Sequence, residues 1–501
     1  MLSVFDQGPP PPCPAPFNMA AYVLAHANTL ADKTALSIPG HDDWTFRALE
    51  RAVRGTATGL LHAGAVPGRR VLMRLGNTVD FPIAYLGALA AGLVPVPTAA
   101  DLTVPEVAPM IAVLKPALIL RDPAVACPDA PNILTLEDLR SFRDLPPASY
   151  DLGSPDRPGY IIFTSGTSGK PRAVVHAHRA IWARRMMHDG WYGLRAQDRM
   201  LHAGAFNWTY TLGTGLMDPW SVGATALIAP PRTAATDLPA LMQAHRATIF
   251  AAAPGVYRQL LRAADMPALP DLRHGLSAGE KLPDATAAQW LSATGTPVLE
   301  AYGMSECSTF ISAAPTRPMD TRFLGRPQPG RRIALLDADG PVPLGAEGTI
   351  AVHRSDPGLM LGYLDAPAET LAKMQGEWFL TGDQGCMDAQ HNVTYLGRND
   401  DMMNAGGFRV SPLEVEATLA GMAGITGVGV TEVRVKQGVR VIAAFYTSPA
   451  PLDEDALHRY ASRMLARYKQ PRLFIHLPAL PMGANGKLLR RTLRENFEAR
   501  L

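Results

Sequence analysis

Apolar and polar positions along the first quarter of the chain change period several times. From Thr45 the run Thr45-Phe-Arg-Ala-Leu-Glu-Arg-Ala-Val opens with a threonine cap and keeps helical spacing as far as Leu60-Leu61. Arg70-Val-Leu-Met-Arg-Leu reads as a strand, Asp80 to Ala91 as an apolar helix, and Leu93-Val-Pro-Val-Pro as extended chain. The rhythm returns at Ala226-Leu-Ile-Ala, at Leu238 to His245, and at Thr248-Ile-Phe-Ala-Ala-Ala. Strand–helix alternation of this kind predicts parallel sheets covered by helices. Near residue 397 the pattern breaks, and the polar stretch Gly397 to Asn404 reads as a linker. Beyond it, Ser411-Pro-Leu-Glu414 predicts a capping box with proline at the first helical position. Gly427 to Phe445 predicts two short strands around Lys436-Gln-Gly438. Leu457 to Tyr468 predicts a helix with Leu457, Tyr460, Ala461, Met464, Leu465 and Tyr468 on one face. The last hundred or so residues therefore predict a small α+β domain.

Composition narrows the class. At 501 residues, 47% of them hydrophobic and 18% charged, the chain suits one large or two to three packed domains with a sizeable core. The net charge is +2 and the basic residues are dispersed, with Arg331-Arg332 and Arg490-Arg491 as short pairs, so neither nucleic acid nor an acidic membrane surface is implied. Cys13, Cys127, Cys307 and Cys386 are far apart and form no CxxC unit, which predicts a reducing compartment rather than a disulfide or metal framework. Met1 to Pro16 is proline-rich and lacks the charged and apolar regions of a signal peptide. No apolar run is long enough to span a membrane, and a cytoplasmic location is expected.

One stretch carries more chemistry than any other. In Tyr160-Ile-Ile-Phe-Thr164-Ser-Gly-Thr-Ser-Gly-Lys170-Pro, an apolar run read as a buried strand ends in a loop of four hydroxyls, two glycines and a lysine. Glycines let backbone N–H groups close on an anion, and the hydroxyls and Lys170 add donors, so a polyphosphate is the natural guest. It is not a Walker A loop: Thr164 stands where that pattern needs glycine, and Pro171 follows the lysine.

The loop resembles the phosphate loop of the adenylate-forming superfamily, which includes acyl-CoA synthetases, carrier-loading adenylation domains and beetle luciferases. Four further segments match that family in order: Ser277-Ala-Gly-Glu280, then Ala301-Tyr-Gly-Met-Ser-Glu306, then Leu380-Thr-Gly-Asp383 with Gly397-Arg398-Asn-Asp400-Asp401, then Asn485-Gly-Lys487. The likeness runs from about residue 20 to the end. It implies an α/β fold, with helix-covered, mostly parallel sheets and a β-rich subdomain over 1–396, a hinge over 397–401 at which Asp400 matches, and a small mobile α+β domain over 402–501. It also implies an ATP-dependent acid–CoA ligase working through an acyl-adenylate, with Mg²⁺ and coenzyme A, and releasing AMP and pyrophosphate.

The resemblance carries roles to individual residues. Thr164, Ser165, Gly166, Thr167, Ser168, Gly169 and Lys170 are expected at the β- and γ-phosphates, with Ser305 beside the α-phosphate and Glu306 on Mg²⁺. Tyr302 matches an aromatic that stacks on adenine, in a pocket with Gly279, Glu280, Glu300, Ala301 and Gly303. Asp383 matches a ribose-binding aspartate, a role suited to an acceptor-only group. Arg398 and Arg409 are candidates for ribose or phosphate. Lys487 is the expected catalytic residue of adenylation, and Gly406, Gly407 and Phe408 the expected path of the pantetheine arm.

For the acyl pocket, the likeness is to benzoate and medium-chain acyl-CoA ligases, implying an aromatic, alicyclic or medium-chain acid. Phe206, Trp208, Met304, Cys307 and Phe310 are expected as its apolar wall, with Phe206 or Trp208 as an aromatic gate. Cys307 follows Glu306 directly and is read as lining the pocket rather than as a nucleophile, since no histidine partner is suggested nearby. Gly303 stands where acetate-specific relatives carry tryptophan, implying room for a larger acid. Three alternatives stay open: an adenylation enzyme loading a carrier protein in trans, a catalytically silent nucleotide-binding protein, and a luciferase-like oxidase.

Overall fold

The computed structural model describes residues 1–40, 43–165, 171–262, 266–279, 282–317, 322–398, 403–405, 408–410, 412–481 and 488–500. The Thr45 hydroxyl accepts from Ala48 N at 3.2 Å and caps the helix Phe46–His62. That helix buries Phe46, Leu49, Val53 and Leu60 and packs on Asp80–Ala90, every residue of which is buried. A helix enclosed on all sides needs no polar face, which explains its continuous apolar pattern.

Two parallel sheets follow from the alternation. One has nine strands, with Thr34–Ser37, Thr225–Leu227, Arg199–Ala203, Ile249–Ala252, His274–Ala278 and Val298–Met304 adjacent in that order and parallel. Its far side ends in antiparallel Ser308–Ser312 and Arg326–Pro327. The other sheet has four parallel strands, in the order Val94–Pro97, Arg70–Arg74, Leu118–Arg121 and Ile133–Thr135. Pro158–Ser165 pairs antiparallel with Pro171–Ala177, which also pairs with Gly362–Tyr363. A seven-stranded sheet built around Arg332–Asp337, Glu347–His353 and Trp378–Met387 is antiparallel. The fold is thus α/β with a β-rich region and a C-terminal α+β region.

The C-terminal residues differ from their sequence pattern in two ways. The two strands read as short are ten and nine residues long, Gly427–Lys436 and Val439–Thr447, because their pairing continues to the tight turn between them. The helix Glu454–Met464 ends early: Leu465 is extended at φ −128°, and Tyr468 lies on the separate 3₁₀ turn Arg467–Lys469. Glu414, on the helix Pro412–Ala420, accepts from Lys469 Nζ at 2.7 Å, and Ser411 lies outside the described residues.

Lys469 joins the C-terminal residues to the rest of the chain. Its Nζ also donates to Glu106 Oε1 at 3.2 Å, and Glu106 Oε2 caps Thr103 at the start of the helix Val104–Leu114. Burial opposes the ammonium charge, but the adjacent Tyr468, Glu414 and Glu106 outweigh it and raise the lysine pKa. Lys469 is the cation shared by both carboxylates, so its removal is the costly change, a loss of about 3–5 kcal/mol.

Four histidines are buried as neutral rings. Burial lowers His176 and His274 to about 4, and His178 and His202 to about 3. His178 Nδ1 accepts from Met19 N, a bond that protonation would break. The unfolded rings, near the ordinary 6.5, take up protons that the folded ones refuse. Their effect on stability is therefore absent above pH 6.5 and becomes a loss as pH falls from 6.5 towards 4, approaching about 1.4 kcal/mol per pH unit for each ring. Unfolding midpoints measured at pH 7, 6 and 5 are expected to fall steeply; equal midpoints at all three would contradict this account.

Candidate active site

The strand Val298–Met304 turns at residues 304–308 and returns antiparallel as Ser308–Ser312. The approach is very close at Gly303, where a Cβ would lie 2.1 Å from Ser308 O and 2.5 Å from Thr309 Cα. Glycine is therefore required by the strand crossing itself, and the same residue lines the cavity described below. Ser308 has φ +64°, a left-handed conformation unusual for a residue with a side chain.

Buried polar groups in this turn are met by side chains from distant elements. His176 Nε2 donates to Ser305 O at 2.8 Å, while its ring stacks on Tyr160 with centroids 4.7 Å apart. Tyr363 Oη donates to Glu306 Oε1 at 2.8 Å, and Met360 N donates to Glu306 O. Arg331 Nη2 donates to Thr309 O, and its Nη1 pairs with Asp356 at 2.6 Å, both side chains being fully buried. Arg184 Nη1 donates to Ser308 Oγ at 2.7 Å. Glu306 Oε2 is buried and has no hydrogen-bond partner among the described residues. A spare carboxylate oxygen suits Mg²⁺, which takes one or two carboxylates and fills its shell with phosphate oxygens and water. Among the described residues no cluster of three or more His, Cys, Asp or Glu side chains is arranged to hold a metal by itself.

Tyr302 and Asp383, expected at adenine and ribose, form one unit: Tyr302 Oη donates to Asp383 Oδ2 at 2.6 Å. Burial, and then the Asp383 carboxylate, push the phenol pKa up and keep its proton on oxygen. Nearby, Glu300 Oε1 accepts from Leu282 N, and Ala301 pairs in register with Ala278. Gly279 has φ +98°, a conformation glycine adopts freely.

A cavity runs beside this turn. Thr164, Gly279 and Ser305 line it, as do Trp208, Gly303 and Met304 of the expected acyl wall and Phe408 of the expected pantetheine path. Towards the C-terminal residues its wall is Pro97, Leu102, Met110, Tyr468 and Lys469; on another side it is Met187, Thr214 and Ser308. Three residues expected on the acyl wall are elsewhere. The Phe206 ring packs on Phe81 at 5.7 Å, and Phe310 packs edge-on against Tyr302 at 5.3 Å. Cys307 is fully buried beside Asp356, and burial raises its thiol well above the ordinary value. The aromatic at the wall is Trp208, 5.0 Å from Tyr210 and 6.0 Å from Phe408. Gly166, Thr167, Ser168, Gly169, Lys170, Glu280, Asp400, Gly406, Gly407 and Lys487 lie outside the described residues, as do the side chains of Ser165, Arg398 and Arg409.

His176, Tyr363, Arg184, Arg331 and Lys469 were not singled out by the sequence. For His176 a signal existed: Val174-Val-His176-Ala puts one ionisable residue inside an apolar strand. The others occupy ordinary positions in helix, strand or turn.

This geometry agrees with comparison to known proteins. The chain is 29% identical to a 3-hydroxybenzoate–CoA/4-hydroxybenzoate–CoA ligase of Thauera aromatica, over 95% of this chain and 96% of that one. It is also 29% identical to a benzoate–CoA ligase of the same organism, over 98% and 99%. The crystal structure of a benzoate CoA ligase from Burkholderia xenovorans LB400 superposes with a TM-score of 0.71, at 29% identity, covering 95% of this chain and all of that one. The AMP-binding enzyme family matches residues 23–364, a span that includes the Thr164 loop, the cavity lining from Pro97 to Thr309 and the turn carrying Glu306, and the chain belongs to that family.

Proposed function

We propose that this chain is an ATP-dependent ligase that joins an aromatic acid to coenzyme A through an acyl-adenylate. The observation that carries this reading is a cavity lined by Thr164 and Ser305, by Met187 and Ser308, and by Phe408, Tyr468 and Lys469 of the C-terminal residues. A phosphate-binding edge, a place for the acid and a route for a thiol then meet in one volume. The likeness to benzoate and hydroxybenzoate ligases supports an aromatic acid.

The chemistry assigns tasks to residues. A carboxylate acylates poorly because its leaving group would be oxide; adenylation replaces that with AMP but brings two anions together. Backbone N–H groups and hydroxyls from Thr164 to Lys170 offset the triphosphate charge. Tyr302 and Asp383, already hydrogen-bonded to each other, hold the adenosine, with the Asp383 carboxylate accepting from ribose hydroxyls. Glu306 Oε2 is the site for Mg²⁺, which when bound offsets charge on the phosphates. Lys487 stabilises the charge that develops as the carboxylate attacks the α-phosphate, a contribution of roughly 10²–10³ in rate for one such donor. Residues 402–501 then turn about Asp400, Lys487 withdraws, and Gly406, Gly407 and Phe408 admit the pantetheine thiol to the acyl carbonyl.

An ATP–pyrophosphate exchange screen over aromatic and aliphatic acids, followed by thioester formation on free CoA, tests the whole reading. Exchange is expected with benzoate-sized acids, and no exchange with any aromatic acid would overturn it. Asp383→Ala is expected to weaken ATP use by ~1–3 kcal/mol per lost charged hydrogen bond. Tyr302→Phe, which removes only the internal bond, separates that loss from local rearrangement; ATP kinetics unchanged in a folded Asp383→Ala variant would reject the ribose role. Lys487→Ala should slow pyrophosphate exchange far more than the conversion of supplied acyl-AMP with CoA, and Gly407→Leu should do the reverse. Equal slowing of both half-reactions by either variant would rule out the division of labour.

A further inference from the structure

Beside the cavity lies a buried polar cluster that adenylation chemistry does not use. Arg184 Nε and Nη2 pair with Asp218 at 2.8 and 2.6 Å, and both side chains are almost wholly buried. Arg184 Nη2 also donates to Thr214 Oγ1 at 3.0 Å and to Tyr192 Oη at 3.2 Å. His188 Nε2 lies 3.7 Å from Asp218 Oδ1. Of these residues' neighbours, Met187, Thr214 and Ser308 reach the cavity wall.

Counting protons separates the three hydroxyls of the cluster. Tyr192 Oη gives its proton to Asp218 Oδ2 at 2.9 Å, so Thr214 gives its own to Tyr192 Oη at 2.8 Å. Thr214 Oγ1 also accepts from Arg184, and both of its functions are used. Ser308 Oγ accepts a charged hydrogen bond from Arg184 Nη1 at 2.7 Å, which fixes the direction of its lone pair. The acceptor for its proton is Met187 Sδ at 3.9 Å, a weak thioether contact. Ser308 is thus oriented as a donor whose proton is poorly used, on the wall of a cavity. Beside it, the buried Thr309 hydroxyl has no hydrogen-bond partner among the described residues. The +64° φ of Ser308 is a further sign that the position is constrained.

We propose that Ser308 is a specificity-determining residue that donates a hydrogen bond to an oxygen-bearing substituent on the ring of the acid, with Arg184 as its positioning residue. This rests on the aromatic-acid ligase reading above. The neutral character of the substituent follows from charge: Asp218 already balances Arg184, so a second carboxylate would enter without a counter-ion. A methyl group of similar size would leave the Ser308 donor without a strong acceptor, the situation in which a polar pocket discriminates most strongly.

The test compares kcat/KM in pyrophosphate exchange for hydroxybenzoates and the matching methylbenzoates, isomer by isomer, with benzoate and the benzenedicarboxylates alongside. At one ring position the hydroxy acid is expected to exceed the methyl acid by roughly tenfold or more. In Ser308→Ala, and in Ser308→Gly, which tolerates the left-handed backbone, that ratio is expected to collapse to within about threefold. A wild-type ratio near one at every position, a preference for a dicarboxylate, or a ratio retained in both variants would overturn the proposal. Exchange with benzoate but without hydroxyl discrimination overturns this inference alone. Absence of exchange with every aromatic acid overturns the ligase reading and takes this inference with it.

Discussion

The site depends on one constraint: the turn at residues 304–309 buries Glu306, Cys307 and Thr309 and half-buries the rest, and the polar groups it takes from water need partners within the protein. An unpaired buried carbonyl or carboxylate costs as much as a lost hydrogen bond or more. Five of these groups have a dedicated partner: His176 for Ser305 O, Met360 N for Glu306 O, Tyr363 for one Glu306 oxygen, Arg331 for Thr309 O and Arg184 for Ser308 Oγ. These partners come from the hairpin, from the antiparallel sheet and its loops, and from the helical segment at Ala180–Met187. The turn is where separate layers of the molecule are tied together, so its shape is fixed by all of them. Glu306 Oε2 is the carboxylate oxygen of this turn without a hydrogen-bond partner among the described residues.

Two buried arginine–aspartate pairs flank the same turn. Arg331–Asp356 is wholly enclosed and supports the backbone at Thr309, while Arg184–Asp218 supports the side chain of Ser308. A buried ion pair adds little net stability compared with apolar packing, but a guanidinium held by its carboxylate presents its remaining donors in fixed directions. Here those donors point to neighbouring residues of one short segment. That use of charge is positional.

Lys469 applies the same physics between the C-terminal residues and the body of the chain. Its ammonium lies between Glu414 and Glu106, and the adjacent Tyr468 ring stacks on Phe408 at 4.2 Å. The C-terminal side of the cavity wall is therefore assembled by contacts that cross from residues above 400 to residues near 100. Glu106 serves twice, as the cap of Val104–Leu114 and as the acceptor for Lys469, so a local helix signal and a long-range contact share one side chain.

Much of the fold was legible in the chain because periodicity records local burial. The helix capped by Thr45, the strand at Arg70 and the second alternation at Ala226 to Ala253 all appear near their expected bounds. The ordered motifs pointed to Thr164 and Ser305, which line the cavity, and to Asp383, which pairs with Tyr302, since each motif needs a particular residue type at one point in the chain. What the sequence could not contain was the choice of partners. Cys307 and Phe310 each sit two residues from a cavity-lining serine, Ser305 and Ser308, yet the strand reversal after Gly303 turns them into the core. Tyr363 and Arg184 lie 57 and 124 residues from the groups they hold, in segments with no distinguishing local pattern. Local burial is encoded by spacing along one element, but the partner of a buried polar group is set by which elements converge, and that is decided only when the sheets pack.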